Sequence, residues 1–546
     1  MAEATRLRIS GARVYDPANG IDGAVRDVCV EGSQIVPTLP PEAPTLDARG
    51  LVLMPGGVDL HSHIVGHTLT LARRMEPEGH RHDYQVGRDG HRAGTGGSVP
   101  STFATGQRYA ALGYTTVMDA AIAPLRARQA VAELEDTPIV DKGYFALLGN
   151  NRLLFDLMAA GRTEAVQAAV GWWLAATRAY AVKLANPGGV ELWKRSRQNV
   201  TELDQSIGGL ALTPRQVIAG LAQAANALGL PHPIHLHGLN LGQPGNAGVT
   251  LETLQTLAGQ RAHLCHIQFH SYGATDDGRH TSRAPEIVAF LAAHPELSAD
   301  VGQVLFGPAF TTTADIPVSA WLHHLTRGQW VSGDVECETG CGLQPLAYRE
   351  ASYVHALQWA LGLELFLLSQ DPWRLVFSTD HPNGALFTNY PRLIRLLMDR
   401  DFRAEQVRRC HPAALRQTTL ADGLQREYTL GEIAIITRAG PARLLGLTHK
   451  GHLGPGADAD LALYLDQDDK EAMFTAPRYV FKAGRMVVQG GELREEPEGQ
   501  LLSVAPSYDP AIEQVLRPWF EDHYSVSFEN YAVPGAPTRR TQDGQP

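Results

Sequence analysis

Two histidines separated by a single residue, His61 and His63, could bind one metal ion together. In a β-strand, residues two apart point to the same face, so both imidazoles could chelate the same cation. Asp59 lies on that face too, and we expect it to orient one of the imidazoles through a hydrogen bond. A lone His-x-His pair is more often structural than metal-binding, so the prediction depends on what the rest of the chain brings nearby.

Lys183, in the segment YAVKLANPGG, is the next residue with a possible chemical role. Burial beside histidines is unfavourable for an ammonium group, and a cationic lysine cannot bind a metal. Carboxylation by CO2 would convert the amine into an anionic carbamate, whose two oxygens can bridge two metals. The alternative is an ordinary lysine that pairs with a carboxylate such as Asp380 or lies exposed.

Two later segments carry further histidines. PIHLHG places His235 and His237 on one face of a predicted strand, and His237 is the preferred ligand because it lies nearer the end of that strand. His235 would lie one layer deeper or orient the substrate. In AHLCHIQFH, His266 is the predicted ligand, whereas His263 and His270 are expected to support the ligands or the fold.

Asp380, in FSTDHPNG, follows an apolar run and could both bind a metal and accept a proton from an activated water. An aspartate before Pro and Gly is also a common turn residue. The ligand candidates nevertheless occur in order, each near the end of a predicted strand, and one shared site explains this better than independent coincidences. Six nitrogen and oxygen ligands suit two divalent cations, with zinc the leading prediction. The six are His61, His63, Lys183, His237, His266 and Asp380.

Eight short apolar segments could form the strands that position these residues: 56–63, 114–120, 138–149, 179–187, 233–238, 262–269, 297–307 and 374–384. Between them, apolar residues recur at spacings of three and four, as in amphipathic helices. This alternation predicts an α/β fold with a parallel (β/α)8 barrel of the TIM type, whose active site lies at the carboxyl ends of the strands.

Short strand patterns at both ends of the chain predict a small β-sandwich domain built from the two ends. The predicted division assigns residues 1–54 and 426–500 to this domain and 55–425 to the barrel. Residues 501–546, rich in Pro, Gly and charge, are predicted to form an extended tail.

The composition argues against several other kinds of protein. A net charge of −11 over 546 residues is unfavourable for binding nucleic acid or an anionic membrane. Five scattered cysteines do not suggest a secreted disulfide framework. The sequence has no apolar membrane span and no amino-terminal signal segment, so we expect a cytoplasmic protein. It also lacks the glycine-rich phosphate loops and the GxSxG motif of other large enzyme classes.

The ligand candidates and the segments around them resemble the amidohydrolase superfamily. GADADLALY resembles the segment that returns such chains from the barrel to the small β-domain. More narrowly, the chain resembles the amidohydrolase-type subunit of formylmethanofuran dehydrogenases and of the bacterial formyltransferase/hydrolase complexes. The motifs that carry this resemblance run through most of residues 55–445: PGGVDLHSHIVG, VKLANPGG, HLHGLNLGQPGN, HLCHIQFHSYG, QWALGLELFLLSQDPWR and FSTDHPNG.

The resemblance implies a binuclear zinc centre in which carboxylated Lys183 bridges the metals and the other five candidates complete the ligand set. It implies hydrolysis of the N-formyl group of formyl-methanofuran or formyl-methylofuran, with release of formate, in formaldehyde oxidation. Asp380 would act as general acid and base, and His235 or His237 would help to hold the oxyanion. The implied partners are a formyltransferase subunit and two further subunits. The alternatives are a cyclic amidohydrolase, an N-acyl deacylase, or a non-catalytic scaffold subunit.

Overall fold

Eight parallel strands form the curved central sheet of the computed structural model, which describes residues 6–75, 84–85, 94–95, 99–535 and 539–540. Each strand pairs with the next in chain order. A bridge between Ser62 and His381 joins the first strand to the segment after the eighth, which closes the sheet. The predicted TIM-type barrel is therefore confirmed. Its strands are Gly57–Ser62, Tyr114–Ile122, Asp141–Leu147, Ala181–Ala185, Ile234–His237, Ala262–Leu264, Leu297–Asp300 and Leu375–Val376.

The last three barrel strands are shorter than the sequence pattern suggests. The sixth strand ends at Leu264 and is followed by a 3-10 turn over Ile267–His270. His266 has a φ of 37° and Asp380 a φ of 50°, both in the left-handed region that non-glycine residues seldom adopt. Such backbone strain persists where the surroundings hold it, often at functional sites. Both ligand candidates thus lie on turns that leave the strands.

Helices lie between the barrel strands in sequence, and their apolar faces bury large side chains such as Trp173 and Trp359. Among the described residues, we find no helix with the length and apolar character needed to cross a membrane. The α-helices are His67–Met75, Thr102–Ala111, Ala127–Glu135, Arg152–Ala159, Thr163–Thr177, Gly189–Ser196, Pro214–Ala227, Ala247–Leu257, Ala284–Ala293, Ile316–Thr326, Tyr353–Leu368, Tyr390–Met398, Arg400–Val407, Pro412–Leu415, Leu430–Ala434, Gly440–Leu445, Lys470–Thr475 and Glu513–His523.

A second sheet combines strands from both ends of the chain, as expected for the small β-domain. Its two halves meet where Leu51–Pro55 pairs antiparallel with Leu461–Leu465. Lys482 of this sheet lies 2.7 Å from both Asp460 and Asp141, so a buried ionic contact ties the sheet to the third barrel strand. The other strands of the sheet are Arg6–Asp16, Ile21–Glu31, Gln34–Val36, Thr45–Asp47, Tyr479–Lys482, Arg485–Gln489 and Glu492–Leu493.

Between the seventh and eighth barrel strands, the chain forms a roof over one end of the barrel. The roof consists of the strands Gly307–Thr313, Val331–Asp334 and Gly340–Tyr348 and the helix Ile316–Thr326. The first and third strands pair antiparallel, and the second pairs with the third. Side chains of the roof line the same cavity as the ligand candidates.

Over the described residues 501–535, the segment after residue 500 is not simply extended, because its aromatic side chains pack against the barrel and the roof. Its helix Glu513–His523 buries Phe520, and Trp172 stacks on Phe528 with ring centroids 5.2 Å apart. The hydroxyls of Tyr524 and Tyr531 each donate a hydrogen bond of 2.8 Å to Oε1 of Glu338, in the turn between two roof strands. The segment after residue 500 therefore holds this turn of the roof in place.

The Glu338 contact should make stability depend on pH. Burial raises the pKa of Glu338 to about 7, against hydrogen bonds that lower it. The folded protein then keeps a proton that the unfolded chain, with a glutamate pKa near 4.3, has lost, so stability falls as the pH rises toward 7. We expect Glu338→Gln to remove a change in the free energy of unfolding on the order of 1–3 kcal/mol across this pH range. Denaturant unfolding of both proteins from pH 5 to 8 tests this, and parallel curves would contradict it.

Candidate metal centre

The closed parallel barrel brings the predicted ligands to one end of the sheet. His61 lies within the first strand and His63 just after it, whereas Lys183 lies in the middle of the fourth strand. His237 ends the fifth strand. His266 and Asp380 follow the sixth and eighth strands on the left-handed turns described above. Because parallel strands share one carboxyl edge, residues far apart in sequence converge there.

The imidazoles of His61 and His63 both lie against the carboxylate of Asp380. Its Oδ1 lies 3.1 Å from Nε2 of His61 and 3.1 Å from Nε2 of His63. His61, His266 and Asp380 each place a possible ligand atom within 4.8 Å of the others. The rings of His237 and His266 lie 4.8 Å apart. The structure therefore groups these five side chains around one small volume.

Lys183, on the fourth barrel strand, joins His237 of the fifth strand in this group. Both line a cavity of about 350 Å³ together with His63, His266 and Asp380. Nζ of Lys183 donates a hydrogen bond of 2.9 Å to Sγ of Cys265, and in the described part of the chain it forms no ion pair with a carboxylate. In the structure, therefore, Lys183 does not form the ion pair with Asp380 that was the alternative.

The polar atoms in this group fit a cation. Nε2 of His61 and Nδ1 of His266 are buried, and among the described residues neither has a partner placed for a hydrogen bond. Buried polar atoms without partners are rare in native proteins, and here both are imidazole nitrogens in a group that contains a carboxylate. Mixed imidazole and carboxylate donors are the ligands that zinc and similar divalent metals bind.

The electrostatics of the group also favour positive charge. Burial acts to lower the pKa of His61, but Asp300 and Asp380 outweigh it and raise the pKa well above its usual value. Burial acts to raise the pKa of Asp380, but His266 and His61 outweigh it and lower the pKa well below its usual value. Burial lowers the pKa of His266 well below its usual value. A divalent cation would satisfy these carboxylates in place of a proton.

Asp300, at the end of the seventh strand, is a functional candidate that the sequence alone did not reveal. Its Oδ2 lies 3.0 Å from Nδ1 of His61 and 3.1 Å from Nε2 of His263, and its Oδ1 accepts a hydrogen bond from the backbone N–H of His266. In the sequence, Asp300 shows only as a single aspartate at the end of the apolar segment LSAD. Gly302 lies two residues after Asp300, and a Cβ at this position would lie 2.3 Å from Cβ of His266. The close approach of these two turns therefore requires glycine.

Asp59 has a different role from the one expected. Its Oδ1 accepts a hydrogen bond from the backbone N–H of His61 at 3.1 Å, and its Oδ2 accepts hydrogen bonds from the hydroxyls of Tyr109 and Tyr390. Asp59 thus holds the main chain of the first strand, while Asp300 contacts the imidazole. The expectation failed because alternation in a strand gives the face of a residue but not its partner.

The structure separates the two histidines that the sequence left as alternatives. His237 lines the cavity, and its Nε2 lies 3.3 Å from Asp315. His235 is fully buried one layer below, with its Nε2 2.9 Å from Nδ1 of His61. His235 is level with Lys183 in the strand register, whereas His237 is level with Ala185, nearer the barrel mouth. His237 therefore lies at the cavity and His235 beneath it.

The cavity above the ligands is mostly apolar on its roof side. Trp321, Leu322 and Leu325 of the roof helix line it, with Leu346 and Tyr348 of the third roof strand. The ligand candidates form its polar end. The shape therefore suits a compound with one polar group at the barrel and an apolar body under the roof.

Comparison with known proteins places this arrangement in a family. The model of the Amidohydrolase family matches residues 45–488. Protein FwdA of Methanocaldococcus jannaschii is 40% identical over 96% of each chain. The FhcA subunit of the formyltransferase/hydrolase complex Fhc of Methylorubrum extorquens is 39% identical over 97% of this chain and 96% of its own.

Solved structures agree with this placement. The crystal structure of the formyltransferase/hydrolase complex FhcABCD from Methylorubrum extorquens, in complex with methylofuran, has a chain that matches with a TM-score of 0.91 and 37% identity over 98% of both chains. N-acyl-D-glutamate deacylase from Bordetella bronchiseptica, complexed with zinc, matches with a TM-score of 0.50 and 15% identity over 91% of this chain and 99% of its own, which shows the fold alone. The chain with this barrel and this histidine-rich site belongs to the amidohydrolase family.

Proposed function

We propose that this protein hydrolyses the N-formyl group of a formylated furan carrier, formyl-methanofuran or formyl-methylofuran, and releases formate. The observation that carries the proposal is the convergence of His63, Lys183, His237, His266 and Asp380 on one cavity, with His61 beneath it. Similarity to the FhcA subunit over nearly the whole chain supports the choice of substrate.

Two divalent cations, with zinc as the first choice, would supply the Lewis acidity and the activated water that amide hydrolysis needs. His61, His63, Lys183, His237, His266 and Asp380 would hold them, with Lys183 as its carbamate. The thiol contact of Lys183 supports this, because an amine without a carboxylate partner does not have to break an ion pair to react with CO2. We expect the carbamate oxygens to replace that thiol contact.

Asp380 would move the proton. The contacts it makes with His61, His63 and Asn383 all involve Oδ1, where Nδ2 of Asn383 donates at 3.0 Å. Asn383 is held in turn by the backbone N–H of Thr312, which donates to its Oδ1 at 2.7 Å. Asp380 is therefore fixed through one oxygen, and Oδ2 would take the proton of the attacking water and return it to the departing amine.

The apolar roof supports a carrier with an aromatic body. The furan ring would lie under Trp321, Leu322 and Leu346, and the formyl group would lie at the polar end beside His237. Excluding water from the roof side would strengthen the electrostatic interactions around the reacting carbonyl. We further propose that the chain works, like the FhcA subunit that it resembles, in a cytoplasmic complex with a formyltransferase subunit and two further subunits.

A substrate panel tests this proposal against its rivals. Zinc-loaded protein would be given N-formyl-methylofuran, an N-acyl-D-glutamate and a dihydropyrimidine at equal concentration. We expect turnover of the formyl carrier and formate as its product. Preferential turnover of either other compound would assign the chain to a deacylase or a cyclic amidohydrolase. No turnover of any compound by a folded, zinc-loaded preparation would favour a scaffold subunit.

A further inference from the structure

A row of buried histidines continues from the candidate metal centre into the barrel interior. His61, His235 and His232 are fully buried, and adjacent rings are joined through nitrogen atoms. Nε2 of His235 lies 2.9 Å from Nδ1 of His61, and Nε2 of His232 lies 3.1 Å from Nδ1 of His235. Nδ1 of His232 lies 2.8 Å from the carbonyl oxygen of Leu444. The chain of contacts therefore ends on a group whose hydrogen-bonding role is fixed.

The carbonyl of Leu444 sets the direction of every hydrogen bond in the row. It lies in the last turn of the helix Gly440–Leu445, where carbonyls have no partner within the helix and must accept from elsewhere. His232 must therefore carry its proton on Nδ1. As a neutral ring it can only accept at Nε2, so His235 donates from Nδ1 and accepts at Nε2. His61 in turn donates from Nδ1.

A second anchor at the other end of the row requires the same arrangement. Oδ2 of Asp300 lies 3.0 Å from Nδ1 of His61 and also contacts Nε2 of His263. Oδ1 of Asp300 accepts from the backbone N–H of His266 and from the hydroxyl of Ser378. An ionised carboxylate can only accept hydrogen bonds, so each ring nitrogen that contacts Asp300 must carry a proton, and His61 must again be protonated at Nδ1. Its Nε2, which faces Asp380, is then the nitrogen left to bind a metal ion in place of a proton.

The backbone around His232 restricts its movement. Pro231 and Pro233 flank it, and a following proline confines His232 to extended conformations. Its ring also stacks on Phe145, with centroids 5.2 Å apart and planes inclined by 19°. The ring of His232 is therefore held in place independently of the histidines that it contacts.

We propose that His232 is a positioning residue, which acts through His235 to hold His61 in the tautomer that presents Nε2 to a metal ion. The inference rests on the proposed metal centre and extends it, because His232 itself reaches neither the cavity nor a ligand atom in the metal group. It also gives His235 a role distinct from contact with substrate. The expected role follows a general rule, since the second nitrogen of a metal-binding histidine is held by a partner that fixes its tautomer.

Two substitutions of His232 separate hydrogen bonding from packing. In His232→Phe, the ring can still stack on Phe145, but His235 loses its acceptor and Leu444 its donor. In His232→Gln, one amide can both donate to Leu444 and accept from His235. A matched control is His294→Phe, because His294 also stacks on a phenylalanine, Phe290, but lies at the carboxyl end of a helix outside the row.

The readouts are zinc affinity of the full-length chain, measured by competition with a chelator, and histidine tautomers, measured by 15N NMR of the zinc-loaded protein. We expect His232→Phe to weaken zinc binding by roughly 10- to 100-fold, His232→Gln to retain most of the affinity, and the control to match the wild type. Loss of affinity in both His232 variants to the same extent would indicate packing alone and overturn the proposal.

The tautomer measurement keeps the test decisive if His232→Phe does not fold. The wild-type protein should show His232 and His235 as neutral rings protonated at Nδ1. Finding either ring protonated at Nε2, or unchanged zinc affinity in folded His232→Phe, would overturn the role of His232 while leaving the metal centre intact. A wild-type chain that binds no zinc would instead reject the metal centre and this inference together.

Discussion

Replacing Asp380 with asparagine is expected to lower the rate of formate release by a factor on the order of 10² to 10⁴, the usual contribution of a general acid and base. Asparagine keeps an oxygen that can accept from Asn383, but it cannot take a proton from water at neutral pH. The fold should survive, because the side chains have nearly the same shape. The measurement is kcat with N-formyl-methylofuran, together with the thermal unfolding temperature.

The control for this change is Asp468→Asn, which alters an exposed aspartate in the loop after Leu461–Leu465. The control should keep wild-type turnover. Metal content must be measured in both variants, because Asp380 is also a proposed ligand. If Asp380→Asn retains its metal and turns over at a near-normal rate, Asp380 does not move the proton.

Replacing Lys183 with alanine is expected to abolish stable metal binding. As a carbamate, Lys183 would supply an oxygen to each of two cations, so its loss should weaken binding beyond the roughly 10- to 100-fold that loss of a residue supporting a ligand costs. Metal analysis after dialysis, with bicarbonate present or absent, checks this. Bicarbonate should raise the metal content of the wild type, whose Lys183 it can modify, and leave the alanine variant depleted.

Lys470→Ala is the matched control, since Lys470 begins a surface helix and its amine pairs with Asp466. This variant should bind metal like the wild type and respond to bicarbonate in the same way. Equal metal content in Lys183→Ala and Lys470→Ala would remove Lys183 from the ligand set and leave its contact with Cys265 as a structural one.

Much of the barrel was predictable because its signals are local. Apolar runs of strand length alternate with helical periodicity, and parallel strands carry their polar residues to one edge. The spacing of His61 and His63, two residues apart in one strand, was therefore enough to imply a shared face. The ends of the strands were less predictable, since His266 and Asp380 lie on left-handed turns that only tertiary contacts hold in place.

The residues that support the ligands could not be identified from the sequence, because their contacts join distant segments. His61 and Asp300 are 239 positions apart, and nothing local to LSAD indicates that its aspartate faces an imidazole. The roof turn at Glu338 is held by Tyr524 and Tyr531 from a segment whose composition suggested an extended tail. In both cases, buried polar groups found partners across the fold, which sequence spacing does not encode.

Metal-dependent formyl hydrolysis is best tested by formate release from N-formyl-methylofuran by the purified chain, or by its complex, with and without a metal chelator. We expect formate release that the chelator abolishes and that added zinc restores. Formate release that persists after complete removal of metal from the protein would contradict a metal-dependent formyl hydrolase. A zinc-loaded, folded preparation that releases no formate would contradict it as well.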